Sequence, residues 1–138
     1  MIKHTFVKHN INEDQKARGD CVTRALARAS GIPYYIVYED VKEFCRQNPG
    51  HGSPSSGVAG GTQAFARFMQ NYGFQWYPVD AGFTINDVPA IGRYVVPVKR
   101  HFTTVVEGRL FDTFDPRKVG NSQVRRGFWL WVGAKLSK

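Results

Sequence analysis

Gln15-Lys16-Ala17-Arg18-Gly19-Asp20-Cys21-Val22-Thr23-Arg24-Ala25-Leu26-Ala27-Arg28-Ala29-Ser30-Gly31 is the stretch around which the rest of the chain is read. Ala25, Leu26 and Ala29 recur at three- and four-residue steps, the spacing of one helix face. Asp20 stands where a side-chain cap would meet the first free amides, and Gly31 where a helix stops. The pattern predicts a helix over residues 21–30 with Cys21 at its start. A thiol there lies at the positive end of the helix dipole, which favours the nucleophilic thiolate. Gln15, six residues upstream, carries a side-chain amide able to join the backbone amide of Cys21 as a two-donor oxyanion hole. The competing reading is a small buried thiol beside a solvated glutamine.

Outward from this stretch, Pro33 is placed to open a second helix over residues 33–47, with Ile36, Val37, Val41, Phe44 and Cys45 on one face. Residues 48–61, Asn-Pro-Gly-His-Gly-Ser-Pro-Ser-Ser-Gly-Val-Ala-Gly-Gly, read as a long loop, either a flap over a substrate cleft or a disordered excursion. His51 within it reads as a surface histidine. A third helix fits residues 62–72, capped by Thr62, stopped by Gly73 and carrying Phe65, Phe68 and Met69 on its apolar face. Extended patterns follow at 74–79, 94–98, 102–106, 109–114 and 127–132, with a short capped helix at 84–88. Residues 2–9 read as an edge strand or a surface arm. Helices first and strands after are the order of an α+β fold, N-terminal helices on a C-terminal antiparallel sheet.

The chain has 138 residues, enough for one domain, 1–138, with a single core. Apolar residues at 42% exclude a disordered chain, and no apolar run approaches a membrane span. Residues 1–6 lack the apolar core of a signal peptide, and Cys21 and Cys45 alone form neither a disulfide framework nor a zinc pattern. These features predict a cytoplasmic protein without metal or other cofactor. The net charge of +8 favours an acidic partner, and nucleic acid stays open. Lys and Arg are nevertheless scattered singly or in pairs, as on a solvated surface.

His101 opens the 102–106 strand pattern, and the returning strand carries Asp112 and Asp115. With Glu107-Gly108 as a two-residue turn, His101 lies opposite Phe114 and diagonal to Asp112; one residue more in the turn brings Asp115 opposite. Either register lets a carboxylate orient an imidazole. With a cysteine at a helix start, that is the nucleophile, base and orienter set of covalent acyl transfer.

Gln15, Asp20-Cys21 and the following Ala25-Leu26 resemble the opening of the bacteriocin-processing, double-glycine branch of the papain-like cysteine peptidase superfamily. His101-Phe102-Thr103-Thr104-Val105-Val106, Glu107-Gly108 and Asp112-Thr113-Phe114-Asp115-Pro116 resemble the histidine strand, turn and Asp-Pro strand end of the same group. The Asp-Cys-x-x-Arg-Ala opening also resembles small uncharacterised phage and bacterial proteins. Residues 46–92 carry no resemblance, and Val22 stands where the peptidases usually have glycine. The resemblance implies a papain-like fold and a cysteine peptidase acting on a peptide or protein. Cys21 is then the nucleophile, His101 the base and acid, Gln15 the oxyanion donor and Asp115 the preferred orienter, with Asp112 the alternative. Two other readings stay open. One is an inactive papain-like protein serving as a phage or bacterial binding or structural component; the other is a basic nucleic-acid-binding module.

Overall fold

The computed structural model describes residues 3–12 and 19–133. Strand β1 (Thr5–Lys8) leads to helices α1 (Cys21–Ser30) and α2 (Tyr34–Gln47). The short strands β2 (Gly52–Ser53) and β3 (Gly57–Val58) precede helix α3 (Gln63–Tyr72). Strands β4 (Phe74–Pro78), β5 (Arg93–Val98), β6 (His101–Val106), β7 (Arg109–Asp112) and β8 (Gly127–Trp131) complete the chain, with 3-10 turns at Ile85–Asp87 and Pro116–Val119. The architecture is α+β, three helices with a six-stranded sheet in the order β1-β7-β6-β5-β8-β4.

Helix α1 begins and ends where the periodicity predicts. Gly31 closes it at φ 77°, a conformation that costs glycine nothing, and its N–H donates to the Ala27 carbonyl at 2.9 Å. Pro33 lies just outside α2 rather than within it. Val37, Val41 and Phe44 bury as expected, whereas Ile36 is 40% exposed, because the buried stripe of α2 runs through Val37 instead. Thr62 caps α3, its hydroxyl accepting the Phe65 N–H at 3.1 Å.

The sheet divides the core in two. Leu26, Ala29, Val37, Val41, Phe65 and Met69 from the helices pack with Val95 and Trp129 on one face. Tyr94, Val96, Val105, Leu110 and Phe128 pack on the other, covered by Ile85, Val88 and Val124 from the connections. This two-sided burial explains why residues 94–98 read as a nearly unbroken apolar run rather than an alternating one.

The sheet is antiparallel except at its edge, where β1 runs parallel to β7. The N-terminal segment is therefore an edge strand, and the fully antiparallel sheet expected from the sequence needs that correction. Buried His4 fastens the edge, its Nε2–H donating to the Val88 carbonyl at 2.7 Å. Residues 48–61 are not a disordered excursion: β2 and β3 pair as a small antiparallel hairpin. Thr23 Oγ1 ties it to α1 by donating to the Pro54 carbonyl at 2.9 Å. His51 is held too, between the Asn48 carbonyl and the Thr62 hydroxyl, against the edge of the Phe44 ring. Among the described residues no helix is long and apolar enough to cross a membrane.

Candidate active site

Cys21 is the first residue of α1, and the start of β6 lies against it. The His101 ring and the Phe102 backbone lie beside its sulfur, near enough to act on its charge. Strand β7 pairs with β6 only as far as Thr104, leaving the first residues of β6 free of that neighbour. Glu107 and Gly108 form the two-residue turn, both at positive φ (48° and 79°), the geometry that matches hairpin twist. Val106 pairs with Arg109 and Thr104 with Phe111, so the register runs on to set His101 opposite Phe114, whose ring centroid is 4.9 Å from the imidazole.

That register decides which acid meets the histidine. His101 Nε2 donates to Asp112 Oδ2 at 2.6 Å, with both side chains almost wholly buried, which leaves Nδ1 for the sulfur. The second Asp112 oxygen accepts the Thr113 N–H at 2.7 Å. Asp115, expected as the preferred partner of His101, is elsewhere. Its carboxylate caps the Pro116–Val119 turn by accepting the Arg117 N–H at 3.0 Å, and it holds the Arg117 guanidinium through both oxygens at 2.9 and 2.8 Å. Asp-Pro begins a helical turn here rather than extending the strand, so the two acids diverge.

The electrostatics follow from these contacts. Burial pushes the His101 pKa down, but hydrogen bonds to Asp112 and Cys21 and their negative charges prevail and raise it to about 9. Burial pushes the Cys21 thiol up, yet the hydrogen bonds from His101 and Phe102, with the charges of His101 and Arg24, bring it below its ordinary value. The two shifts are opposed, the thiol moving toward its thiolate and the imidazole toward its imidazolium. For Cys45, by contrast, burial alone acts and the thiol is raised.

Asp20 does not cap α1 with its side chain. Its carboxylate, 1% exposed, instead accepts from Asn12 Nδ2 at 3.2 Å and from the Tyr34 hydroxyl at 2.7 Å, and pairs with Arg24. The competing donors win because they satisfy a fully buried carboxylate, which a single cap bond would not. The Cys21 N–H, at the helix start where no intrahelical acceptor exists, finds none elsewhere among the described residues. An oxyanion seated at the helix start would meet this N–H. Gln15, the expected second donor, lies outside the described residues.

Arg24 has no role in the sequence reading beyond its place in the Asp-Cys-x-x-Arg-Ala opening. It bridges Asp20 and, at 4.0 Å, Asp112, so a row of alternating charges runs behind the cysteine–histidine pair. A cleft of about 820 Å³ opens in front of the pair. Its walls include Gly57, Gly60 and Gly61 of the hairpin segment, Trp76 and Trp129 of the sheet, and Arg100, Arg125 and Arg126. Close approach explains two glycines. A Cβ on Gly60 would meet the Phe102 ring at 2.7 Å, and one on Gly19, already at φ 78°, would meet the Ser56 carbonyl oxygen at 3.1 Å. Among the described residues no group of His, Cys, Asp and Glu forms a metal-binding cluster. The arrangement has the parts for nucleophilic chemistry on a carbonyl: a thiol, an imidazole beside it, an orienting acid, a helix-start amide and a cleft. No protein-family model matches the chain, and comparison with curated proteins and with solved structures finds no significant match.

Proposed function

We propose that the protein is a cysteine-dependent acyl-transfer enzyme, a small cysteine peptidase or related thiol hydrolase on a papain-like fold. The observation that carries this reading is the row Cys21–His101–Asp112 at the edge of a cleft, with His101 hydrogen-bonded to Asp112 and the thiol and imidazole shifted in opposite directions. The Cys21 thiolate attacks the substrate carbonyl carbon, and the carbonyl electron pair moves to oxygen, where the Cys21 N–H donates to it. Collapse of this intermediate breaks the bond to the leaving group, which takes the proton from His101 and departs, leaving a thioester on Cys21. His101, now neutral, takes a proton from water as the hydroxide adds to the thioester; the acid is released and the proton returns the pair to its starting state. Asp112 holds the ring and steadies its positive charge throughout. A nucleophile at the start of the first helix and a base on an antiparallel strand support the papain-like assignment.

The test is the rate of iodoacetamide alkylation against pH, read by mass spectrometry, with Cys45 as internal control. Fast modification of Cys21 persisting well below the ordinary thiol range, and slowed at least about tenfold at pH 7 by His101→Ala, is the expected result. Equal, slow rates for Cys21 and Cys45 would refute the enzyme and leave a binding protein on the same scaffold.

A further inference from the structure

The cleft in front of Cys21 has one sign of charge. Arg100, Arg125 and Arg126 line it, and no Asp or Glu does among the described residues. All three arginines are exposed, and the ion pairs found among the described residues do not involve them. They are also held in place from behind. The Lys99 N–H donates to Asn121 Oδ1 at 3.1 Å and Asn121 Nδ2 to the Lys99 carbonyl at 2.9 Å; the Arg125 N–H donates to the Pro97 carbonyl at 2.9 Å. The Arg126 carbonyl in turn accepts the Val79 N–H at 2.9 Å.

Two of these arginines occupy backbone conformations that their residue type disfavours. Arg100 has φ 57° and Arg126 φ 66°, and besides Glu107 they are the non-glycine residues at positive φ among those described. Arg100 is the second residue of the two-residue β5–β6 turn, a place where Gly or Asn would relieve the strain. Strained residues of this kind concentrate where a side chain is needed for a ligand.

We propose that this cleft receives an acidic polypeptide segment, with carboxylate side chains flanking the bond presented to Cys21. A guanidinium pairs with a carboxylate through two parallel hydrogen bonds, and three of them on the rim of a cleft concentrate acidic chains there. The opposite wall suits an extended peptide. Among the described residues strand β3 pairs only with β2, and Gly61 beyond it has open space where a side chain would stand, so a chain can approach there. The walls suit nucleic acid less well. Of the two cleft tryptophans, Trp129 is 4% exposed and has no open face for a base, and the half-buried Trp76 packs tilted against it at 4.7 Å. What happens to the bound segment rests on the acyl-transfer reading; its recognition does not.

The test separates the two. Binding of a fluorescein-labelled glutamate- and aspartate-rich 12-residue peptide to the full-length Cys21→Ala protein is measured by anisotropy at low and high salt. Its glutamine/asparagine counterpart and a single-stranded 20-mer oligothymidylate are measured beside it. The expected result is a preference of about tenfold or more for the acidic peptide over the neutral one, fading in about 0.5 M salt. Combined Arg100→Gln, Arg125→Gln and Arg126→Gln substitution should abolish that preference. Removing the same charge elsewhere, by Lys8→Gln, Lys42→Gln and Lys118→Gln, should leave it. Equal binding of both peptides, equal loss with either triple variant, or tighter binding of the oligonucleotide would overturn the proposal. If the acidic preference holds while Cys21 alkylates no faster than Cys45, only the acyl-transfer reading falls.

Discussion

Asp112 and Asp115 stand on the same short segment, yet their surroundings assign them different work. Asp112 meets the His101 ring, and Asp115 is bound to Arg117, whose guanidinium holds its carboxyl below the usual range. Arg117 reaches further, to the His4 carbonyl and Asn86 Oδ1, both at 2.8 Å, so the Asp115 pair clamps the edge strand to the connection before β5. Asp112→Asn removes the negative charge that raises the His101 pKa, and should lower the Cys21 alkylation rate near pH 7, because a less basic imidazole supports the thiolate less well. Asp115→Asn should leave that rate within about twofold but cost about 1–3 kcal/mol in urea unfolding, since a nearly buried guanidinium loses its charged partner. Alkylation and denaturation of both variants check the pair; a reversed pattern would return the orienting role to Asp115. The sequence left both registers open because a one-residue change in turn length exchanges the two acids. The positive φ of Glu107 and Gly108 settles the turn at two residues.

The connections between elements carry as much of the site as the elements do. Thr62 is the clearest case: its oxygen caps α3 and its O–H donates to His51 Nε2 at 2.8 Å, joining the helix start to the hairpin that walls the cleft. Thr62→Ala should cost about 1 kcal/mol, and Thr62→Ser should recover most of it because the oxygen is kept. Chemical denaturation of the three proteins measures this, and a cost retained in the serine variant would shift the explanation to the methyl group. The helices were legible because their signals are local: periodic apolar residues, Thr62 as cap, Gly31 and Gly73 as stops. The β2–β3 hairpin was not, since two pairs of residues have no periodicity and its hold on α1 is tertiary, through the Thr23 bond to Pro54 and the packing of Val58. The parallel pairing of β1 was hidden for a similar reason, because strand direction depends on the partner and not on the strand.

The opposed shifts of Cys21 and His101 set how the folded protein responds to pH. A histidine whose folded pKa is raised to about 9 contributes stability that is full below its unfolded value of about 6.5 and is lost as pH rises through about 9. A thiol whose folded pKa is depressed contributes in the opposite sense, fully above its unfolded value and losing it as pH falls through the folded one. Where the two ranges overlap, above the depressed value of the thiol and below about 9, the two slopes therefore oppose each other in the native protein. In Cys21→Ala only the histidine slope remains, still raised by Asp112, so the Tm advantage of the native protein over the variant should grow as pH rises across that window. Calorimetry at half-unit steps measures it, and a constant difference would mean that the thiol and imidazole share no proton balance.

Along the chain, the placing of Cys21 at a helix start, the order of helices before strands and the pairing of a histidine strand with an acid-bearing return were all readable. Each rests on interactions within a few residues: apolar spacing, stop glycines and turn chemistry. Asp20 shows where such reading ends. Its position marks it as a cap, but folding brings Asn12, Arg24 and Tyr34 to it, and a buried carboxylate goes to the donors that best replace its water. Arg24 acquires its place between two acids, and Arg100, Arg125 and Arg126 their place on one cleft, in the same way. Periodicity and propensity act through neighbours in sequence, whereas charge and burial act through space, and the distances through space exist only once the sheet has closed beneath the helices.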